Sequence, residues 1–398
     1  MRTLILYAAL ALAPLDGLGQ SAAVSQPRPW DAAMKRADAL LAAHPLIDGH
    51  NDLPMAIRES GAPPRDVVAF DLRQQAPGDT DIPRMRRGHV GAQFWSVWVP
   101  SNAETAKAGR ARIQLEQIDL ALRMTERYPQ DFQLALTADD IERANRAGRI
   151  ASLLGIEGGH AIENSLGALR TYYRLGVRYM TLTHSESTDW ADASGVPAAH
   201  GGLTRFGQEV IREMNRLGML VDISHVSPET MNDVLDIAEA PVIFSHSNAK
   251  ALTPHERNVP DDVLRRVAGN GGVVMASFIT YFAVTGSKPR ATLDDVADHV
   301  EHLRKVAGVD HIGIGSDFYG GAGAMAEGLE DTSTFPLLFA ELIRRGWRDD
   351  ELIKLARGNL LRTMRGAESA AARLQKARPA SFLTIEQLDR GREKPDPY

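Results

Sequence analysis

The chain has 398 residues, 44% of them hydrophobic, which is enough to build one large buried core. Its formal net charge is −6, with acidic and basic residues mixed along the chain, and this argues against a nucleic-acid-binding protein. Because there are no cysteines, the core must hold the protein together without disulfides.

The first 23 residues have the order of a secretory signal peptide. Met1 and Arg2 carry positive charge, residues 4–14 are almost wholly apolar, and small residues follow up to Ala23. The apolar run is shorter than the roughly 20 residues that span a bilayer, and the polar C-terminus lacks the tail of a lipid anchor. We expect a soluble, exported protein, periplasmic or secreted, with no transmembrane span and cleavage between Gly19 and Ala23.

Short β-branched or aromatic segments then alternate with helical patterns. The predicted strands span residues 46–52, 94–99, 150–158, 179–185, 220–225, 241–247, 271–278 and 311–317. Between them, Ser227 and Pro228 begin one predicted helix, and Gly218 and Gly308 end two others. Eight repeats of strand and helix predict an α/β fold, a closed parallel (β/α)8 barrel of the TIM type in a single domain.

Further helical patterns follow the eighth predicted strand. Residues 335–345 and 349–364 are expected to form extra C-terminal helices that close the barrel, and 385–390 forms a short segment of its own. The predicted division is a signal peptide at 1–23, the barrel domain at 24–370 and a peripheral tail at 371–398.

Six of the eight predicted strands end in a side chain that can bind a metal ion or move a proton. Catalytic groups of this barrel class lie at the C-terminal ends of the strands, so histidines of an ordinary core would not occur there repeatedly. The residues are His50 with Asp52, Glu157, His184, His225, His246 and Asp317.

Five of these side chains favour a metal site when they are taken together. His50 and Asp52, two apart on a strand, point to one face. Glu157 ends an apolar strand, where a carboxylate is costly to bury unless it is paired or bound to metal. His225 and His246 follow serines on adjacent strands. Taken singly, each has a structural explanation: His50 with Asp52 as a turn pair, Glu157 as an acid at a helix start, and His225 or His246 as a core histidine.

The composition of this set points to two metal ions rather than one. Three imidazoles with two carboxylates suit a pair of ions that a carboxylate bridges. Imidazole with carboxylate favours zinc, and manganese, cobalt and iron stay as alternatives. The eight remaining histidines are predicted to lie outside the site: His44, His89, His160, His200, His255, His299, His302 and His311.

Short motifs carry a family resemblance from about residue 40 to residue 365. The motifs are IDGHNDLP at 47–54, GAQFWS at 91–96, GIEG at 155–158, RYMTLTH at 178–184, DISH at 222–225, FSHS at 244–247, RNVPDD at 257–262, GSDF at 315–318 and GN at 358–359. In this order they resemble the motifs of the membrane (renal) dipeptidases, peptidase family M19, and the absence of cysteines and of a lipid anchor resembles the bacterial members.

The resemblance implies a centre with two Zn²⁺ ions in each subunit. His50 and Asp52 would bind one ion, His225 and His246 the other, and Glu157 would bridge them. The resemblance also implies a homodimer.

The resemblance further assigns the residues that would act on a dipeptide. His184 would contact the substrate carbonyl, Arg257 the substrate carboxylate, and Asp317 the free amine or the proton transfers. The expected catalytic residues are Asp317, His184 and Glu157. The expected reaction is zinc-dependent hydrolysis of a dipeptide by a hydroxide that the two metal ions share.

Two other functions compete with this interpretation. One is a barrel amidohydrolase that acts on a cyclic amide, lactam or ester, but those enzymes typically begin with His-x-His and bridge their metals with a modified lysine. Here the first pair is His50 and Asp52, and no lysine ends a predicted strand. The other is a non-enzymatic metal- or peptide-binding protein, against which the intact set of five ligand residues argues.

Overall fold

The computed structural model describes residues 29–60, 66–286, 288–320 and 324–389. The segment predicted as a signal peptide and the last nine residues of the predicted tail lie outside these ranges. Export therefore stays a prediction. The homodimer also stays a prediction, because the structure holds a single chain.

Nine strands form one sheet in the described residues. They are β1 (Leu46–Asn51), β2 (Val90–Ser96), β3 (Phe132–Leu134), β4 (Ile150–Glu157), β5 (Val177–Thr181), β6 (Leu220–Asp222), β7 (Ile243–Phe244), β8 (Val273–Ala276) and β9 (Ile312–Ile314).

Helices follow most of the strands. They are α1 (Pro29–Ala43), α2 (Leu53–Glu59), α3 (Ile82–Arg87), α4 (Ala103–Ala108), α5 (Arg110–Arg127), α6 (Ala138–Arg146), α7 (Leu166–Arg174), α8 (Arg205–Leu217), α9 (Pro228–Ile237), α10 (Asp261–Asn270), α11 (Thr280–Ala283), α12 (Leu293–Ala307), α13 (Phe335–Arg344), α14 (Asp349–Ile353), α15 (Asn359–Ala377) and α16 (Ile385–Asp389).

Eight of the strands close into a barrel. The order β2-β1-β9-β8-β7-β6-β5-β4 is parallel throughout, and the pairing of β2 with β4 closes the ring. This confirms the predicted TIM-type barrel. Each of the eight predicted strands overlaps a barrel strand, although β2 and β5 begin earlier than predicted and most of the observed strands are shorter.

Two local differences from the prediction have a clear physical origin. The three-residue strand β3 was not predicted, and it pairs with β4 only at residues 150–152, upstream of the pairing of β4 with β5. The predicted strand 179–185 ends at Thr181. Beyond it the Thr183 hydroxyl donates to His225 O at 3.0 Å, so a side chain replaces the backbone ladder there.

The alternation of side chains along β4 shows which face of the strand points into the barrel. Leu154 and Ile156 join the large cluster that packs strands against helices, whereas Ala151 and Leu153 join a second cluster. Because side chains alternate along a strand, Glu157 follows Ala151 and Leu153 and points to the barrel interior.

Gly155 on β4 leaves the space that the Tyr179 ring fills in the barrel interior. A Cβ atom at Gly155 would overlap this ring. We expect Gly155→Ala to lower the free energy of unfolding by about 1–3 kcal/mol, because overpacking forces neighbouring side chains out of place. Chemical denaturation would measure this, with Gly269→Ala as control, since a Cβ at Gly269 meets nothing within 4 Å. Equal stability of the two variants would contradict the close approach.

The C-terminal helices continue past the predicted end of the barrel domain. After α14 the chain makes a π-helical turn at Lys354–Gly358 and runs on as α15 to Ala377, through the predicted boundary at residue 370. The domain division therefore stays a prediction. Within the described ranges, none of the helices has the length and apolar character that crossing a membrane requires.

Candidate metal centre and substrate cavity

The polar ends of the strands converge at one mouth of the barrel. Three overlapping groups of residues each bring their ligand atoms within 4.8 Å of one another. The groups are His50, Glu157 and His246; Glu157, His184 and His225; and His50, Asp52 and Asp317. All seven strand-end residues singled out in the sequence are thus brought together.

Glu157 lies between two sets of imidazoles. Its Oε1 is 2.8 Å from His225 Nε2 and 3.5 Å from His246 Nε2. Its Oε2 is 3.6 Å from His50 Nε2, and Ser96 Oγ donates to it at 3.3 Å. The two carboxylate oxygens therefore face different partners, as a bridging ligand requires.

The Nε2 atoms of His225 and His246 point at a common position. His225 Nε2 and His246 Nε2 are only 2.9 Å apart. Two such nitrogens converge at this distance when a shared cation or proton occupies the space beside them.

Asp52 and Asp317 complete the group around His50. His50 Nε2 lies 3.2 Å from Asp52 Oδ2 and 4.0 Å from Asp317 Oδ1. Asp52 Oδ1 is buried and has no hydrogen-bond partner among the described residues. A buried carboxylate oxygen without a donor is costly, and this one is free to bind a cation.

Two of the site residues have a backbone conformation that L-residues rarely adopt. His225 and Asp317 both have a φ of 67°. Strain of this kind persists where the surrounding structure enforces it, and it is frequent at functional sites. In each case the chain turns sharply just after a barrel strand, which aims the side chain at the centre of the mouth.

The electrostatic environment keeps two of the histidines neutral and Glu157 ionised. Burial lowers the pKa of both His225 and His246 well below the usual value. Burial alone would raise the pKa of Glu157, but the nearby His50 and His184 hold it well below its usual range. Neutral imidazole and ionised carboxylate are the forms that bind a metal ion.

The surplus negative charge at the mouth attracts protons as well. Burial would lower the pKa of His50, but Tyr179, Asp52 and Glu157 raise it well above the usual value. Burial and the neighbouring Asp52 and Glu157 raise the pKa of Asp317 well above its usual range. A bound cation would take the place of these protons.

Several supporting residues were not recognised in the sequence. Tyr179 Oη lies 2.8 Å from His50 Nδ1, on the side of the ring away from the centre. Ser245 Oγ likewise lies 2.7 Å from His246 Nδ1, on the side of that ring away from the centre. A serine precedes each of the two later histidines in the sequence, but its contact depends on side-chain geometry that spacing does not reveal.

A cavity of about 660 Å³ opens over the metal centre. His184 lies in its wall, stacked on His225 with ring centroids 4.4 Å apart and 5.2 Å from the Trp98 ring. Arg257 lines the wall as well, with Phe282 under its guanidinium at 5.1 Å. Of the described residues that line the cavity, Arg257 alone carries an ammonium or guanidinium group.

Arg257 is fixed by its neighbours but keeps hydrogen-bonding capacity. Its Nη1 donates to Ser247 Oγ at 3.3 Å and its Nη2 to His246 O at 3.2 Å. Its Nε is buried and has no partner within the part of the chain that the structure describes. Nη1 and Nη2 each carry a second N–H besides the one donated here, so the guanidinium retains donors for an anionic group.

One histidine that is predicted to lie outside the site lines the cavity. His255 lines the cavity, close to the rings of Tyr281 and Phe282. The strand-end pattern could not have indicated this, because His255 lies on the loop that carries Arg257. His160, only three residues after Glu157, instead turns to Val99 O at 2.8 Å and does not line this cavity.

The family model "Membrane dipeptidase (Peptidase family M19)" matches residues 34–378. The chain belongs to this family. It is therefore a hydrolase of the metallo-dipeptidase type, as predicted, and the non-enzymatic alternative is not supported.

Named relatives of the M19 chain agree with this assignment. The chain is 44% identical over 354 residues to the dipeptidase verJ of Clonostachys rogersoniana, a match that covers 87% of this chain and 90% of the relative. It is 43% identical over 339 residues to dipeptidase 3 of Mus musculus, covering 84% of this chain. The match spans 66% of the mouse protein's length.

Solved structures share the barrel of this M19 chain. The probable dipeptidase PvdM of Pseudomonas aeruginosa has a TM-score of 0.78 at 22% identity, covering 86% of this chain and 100% of its own, and supports the fold. A metallopeptidase of Rhodobacter sphaeroides, liganded with a phosphinate mimic of L-Ala-D-Ala, has a TM-score of 0.73 at 26% identity, covering 81% of this chain and 99% of its own.

Proposed function

We propose that this M19 family member hydrolyses dipeptides with two zinc ions at the barrel mouth. His50 and Asp52 would hold one ion, His225 and His246 the other, and Glu157 both. The observation that carries this proposal is the placement of the two Glu157 oxygens, one facing His50 and the other facing His225 and His246.

The residues present fit these ions by their chemistry. Imidazole and carboxylate are ligands that zinc accepts readily, and the unpartnered Asp52 Oδ1 adds a donor atom. Zinc, when bound, supplies a water nucleophile at neutral pH and stabilises negative charge on the carbonyl oxygen.

The cavity residues account for the recognition of a dipeptide. Arg257, whose guanidinium lines the cavity wall, would bind the terminal carboxylate of the substrate. A fixed anchor on one side of the centre limits the length of peptide that fits. The Rhodobacter structure with a bound dipeptide mimic and the two named dipeptidases support this substrate class.

His184 would donate a hydrogen bond to the peptide carbonyl. Ser185 Oγ lies 2.7 Å from His184 Nδ1, where its hydroxyl can donate to the ring. The proton of the neutral imidazole then lies on Nε2, the nitrogen that faces the centre at 3.6 Å from Glu157 Oε1. A preorganised donor of this kind stabilises charge that develops on the carbonyl oxygen.

Asp317 would move a proton. Its Oδ1 lies 4.0 Å from His50 Nε2, beside the proposed metal centre. Such a group would accept a proton on the nucleophile side and deliver it to the leaving nitrogen.

Removal of metal tests the proposal directly. We expect dialysis against a chelator to abolish hydrolysis of dipeptides, and added Zn²⁺ to restore it, because the proposed nucleophile is a water that the metal ions activate. A spectrophotometric dipeptidase assay with metal analysis of the same samples measures both. Full turnover by protein free of metal would contradict the proposal.

Arg257→Ala tests the role of the guanidinium. We expect KM for dipeptides with a free carboxylate to rise by about 10- to 100-fold, because the variant loses a charge-assisted hydrogen bond in a buried site. Dipeptide amides, which lack the carboxylate, serve as control substrates, and their hydrolysis should change little. The same KM as the wild type for the free dipeptides would remove Arg257 from this role.

A further inference from the structure

A buried chain of side chains leads away from the proposed metal centre at His246. Ser245 Oγ lies 2.7 Å from His246 Nδ1 and 2.6 Å from Asp222 Oδ2. All three residues are at most 1% exposed. We propose that Asp222 and Ser245 are positioning residues, which hold His246 in the tautomer that presents the Nε2 lone pair to the metal. This inference rests on the proposed function.

The donors around Asp222 fix the direction of these hydrogen bonds. The backbone N–H groups of Ser224 and Ser245, which can only donate, reach Asp222 Oδ1 at 3.1 and 2.9 Å. The Thr181 hydroxyl donates to Oδ2 beside Ser245. Three other donors thus show that Asp222 acts as an acceptor, and an ionised carboxylate has no proton to give, so the single Ser245 hydroxyl proton points to Asp222.

The state of His246 follows from this direction. Because the Ser245 proton is used on Asp222, Ser245 Oγ offers only lone pairs to the ring, and His246 Nδ1 must carry the proton. His246 Nε2 is then unprotonated, 3.5 Å from Glu157 Oε1. Metal-binding histidines commonly donate their other N–H to a carboxylate, and here a serine hydroxyl extends that link by one step.

The barrel register brings these residues together. Thr181 pairs with Asp222, and Asp222 pairs with Ile243 of β7, two residues before Ser245. Asp222 therefore lies between the ends of two strands and reaches groups on both. Its carboxylate also accepts the N–H of Ser224, immediately before His225, so one side chain steadies the approach to both histidines.

Asp222→Asn should reverse the chain of hydrogen bonds. An asparagine keeps one oxygen for the two backbone N–H groups, which turns its NH₂ towards Ser245. The NH₂ would donate to Ser245 Oγ, whose hydroxyl would then donate to His246 Nδ1 and leave the ring proton on Nε2, the nitrogen that must bind metal. We expect zinc affinity to fall by about 10- to 100-fold.

The double variant separates this mechanism from a general loss of structure. Ser245→Ala removes the hydroxyl and leaves either tautomer accessible, so its loss of affinity should be smaller. Asp222→Asn with Ser245→Ala should bind zinc as tightly as Ser245→Ala alone, because nothing then forces the wrong tautomer. Competition with a chromophoric zinc chelator measures all three affinities.

Ser152→Ala is the matched control, since this serine is also fully buried and accepts from Trp95 Nε1 at 3.1 Å. It should bind zinc like the wild type. The positioning role would be overturned, with the proposed metal centre still standing, by either of two results. One is wild-type zinc affinity in both Ser245→Ala and Asp222→Asn, and the other is a double variant that binds zinc more weakly than either single variant. Wild-type protein that binds no zinc would overturn the proposed metal centre too. If Asp222→Asn does not fold, the comparison of Ser245→Ala with Ser152→Ala decides.

Discussion

Glu157→Gln is expected to lower kcat/KM for dipeptides by about three orders of magnitude or more, since metal ions contribute several kcal/mol to stabilising the transition state. The amide keeps only one oxygen, so it could bind one of the two proposed metal ions but not both. Because Oε1 and Oε2 face different imidazoles, the variant should also lose zinc, with fewer than two ions per chain after dialysis.

Glu213→Gln is the matched control for this change. Glu213 is also buried and pairs with Arg170 and Arg216, on helices α7 and α8 away from the cavity. Its loss should lower stability while zinc content and turnover stay at wild-type values. A Glu157→Gln enzyme with two zinc ions and normal turnover would remove the bridging role from Glu157.

Asp317→Asn is expected to lower kcat by about 10²- to 10⁴-fold, the usual contribution of a positioned acid or base. Asparagine has nearly the same shape and tolerates the left-handed backbone at this position, so the fold should persist. We expect zinc content to stay unchanged, because the five proposed ligands remain.

The zinc content of the Asp317 variant distinguishes proton transfer from metal binding. Asp317 lies in the same group of ligand atoms as His50 and Asp52, so loss of an ion would show that it acts as a ligand instead. Asp310→Asn is the control, since Asp310 is exposed and pairs with Lys354 at 2.7 Å. Normal kcat in Asp317→Asn would end the proposed role in proton transfer.

The sequence predicted the barrel and the residues at its mouth because both depend on local patterns. Apolar strands show as short hydrophobic runs, and parallel strands bring their C-terminal ends to one edge, so His50 and Glu157 could be grouped although 107 positions separate them. The apolar run before each residue also gave its approximate depth in the core.

The remaining parts of the site depend on packing across strands. The contact of Tyr179 with His50 joins residues 129 positions apart and exists because Gly155 leaves room for the ring. Strand β3 has only three residues and no distinct periodicity. The contact of Ser245 with Asp222 depends on register, which a single sequence does not specify to the residue.

The most direct test of the account is anomalous diffraction at the zinc edge from crystals of the zinc-loaded protein. The account predicts two peaks at the barrel mouth, one beside His50 and Asp52 and one beside His225 and His246, with Glu157 in contact with both. A single ion, or ions bound elsewhere while these five side chains make other contacts, would contradict it.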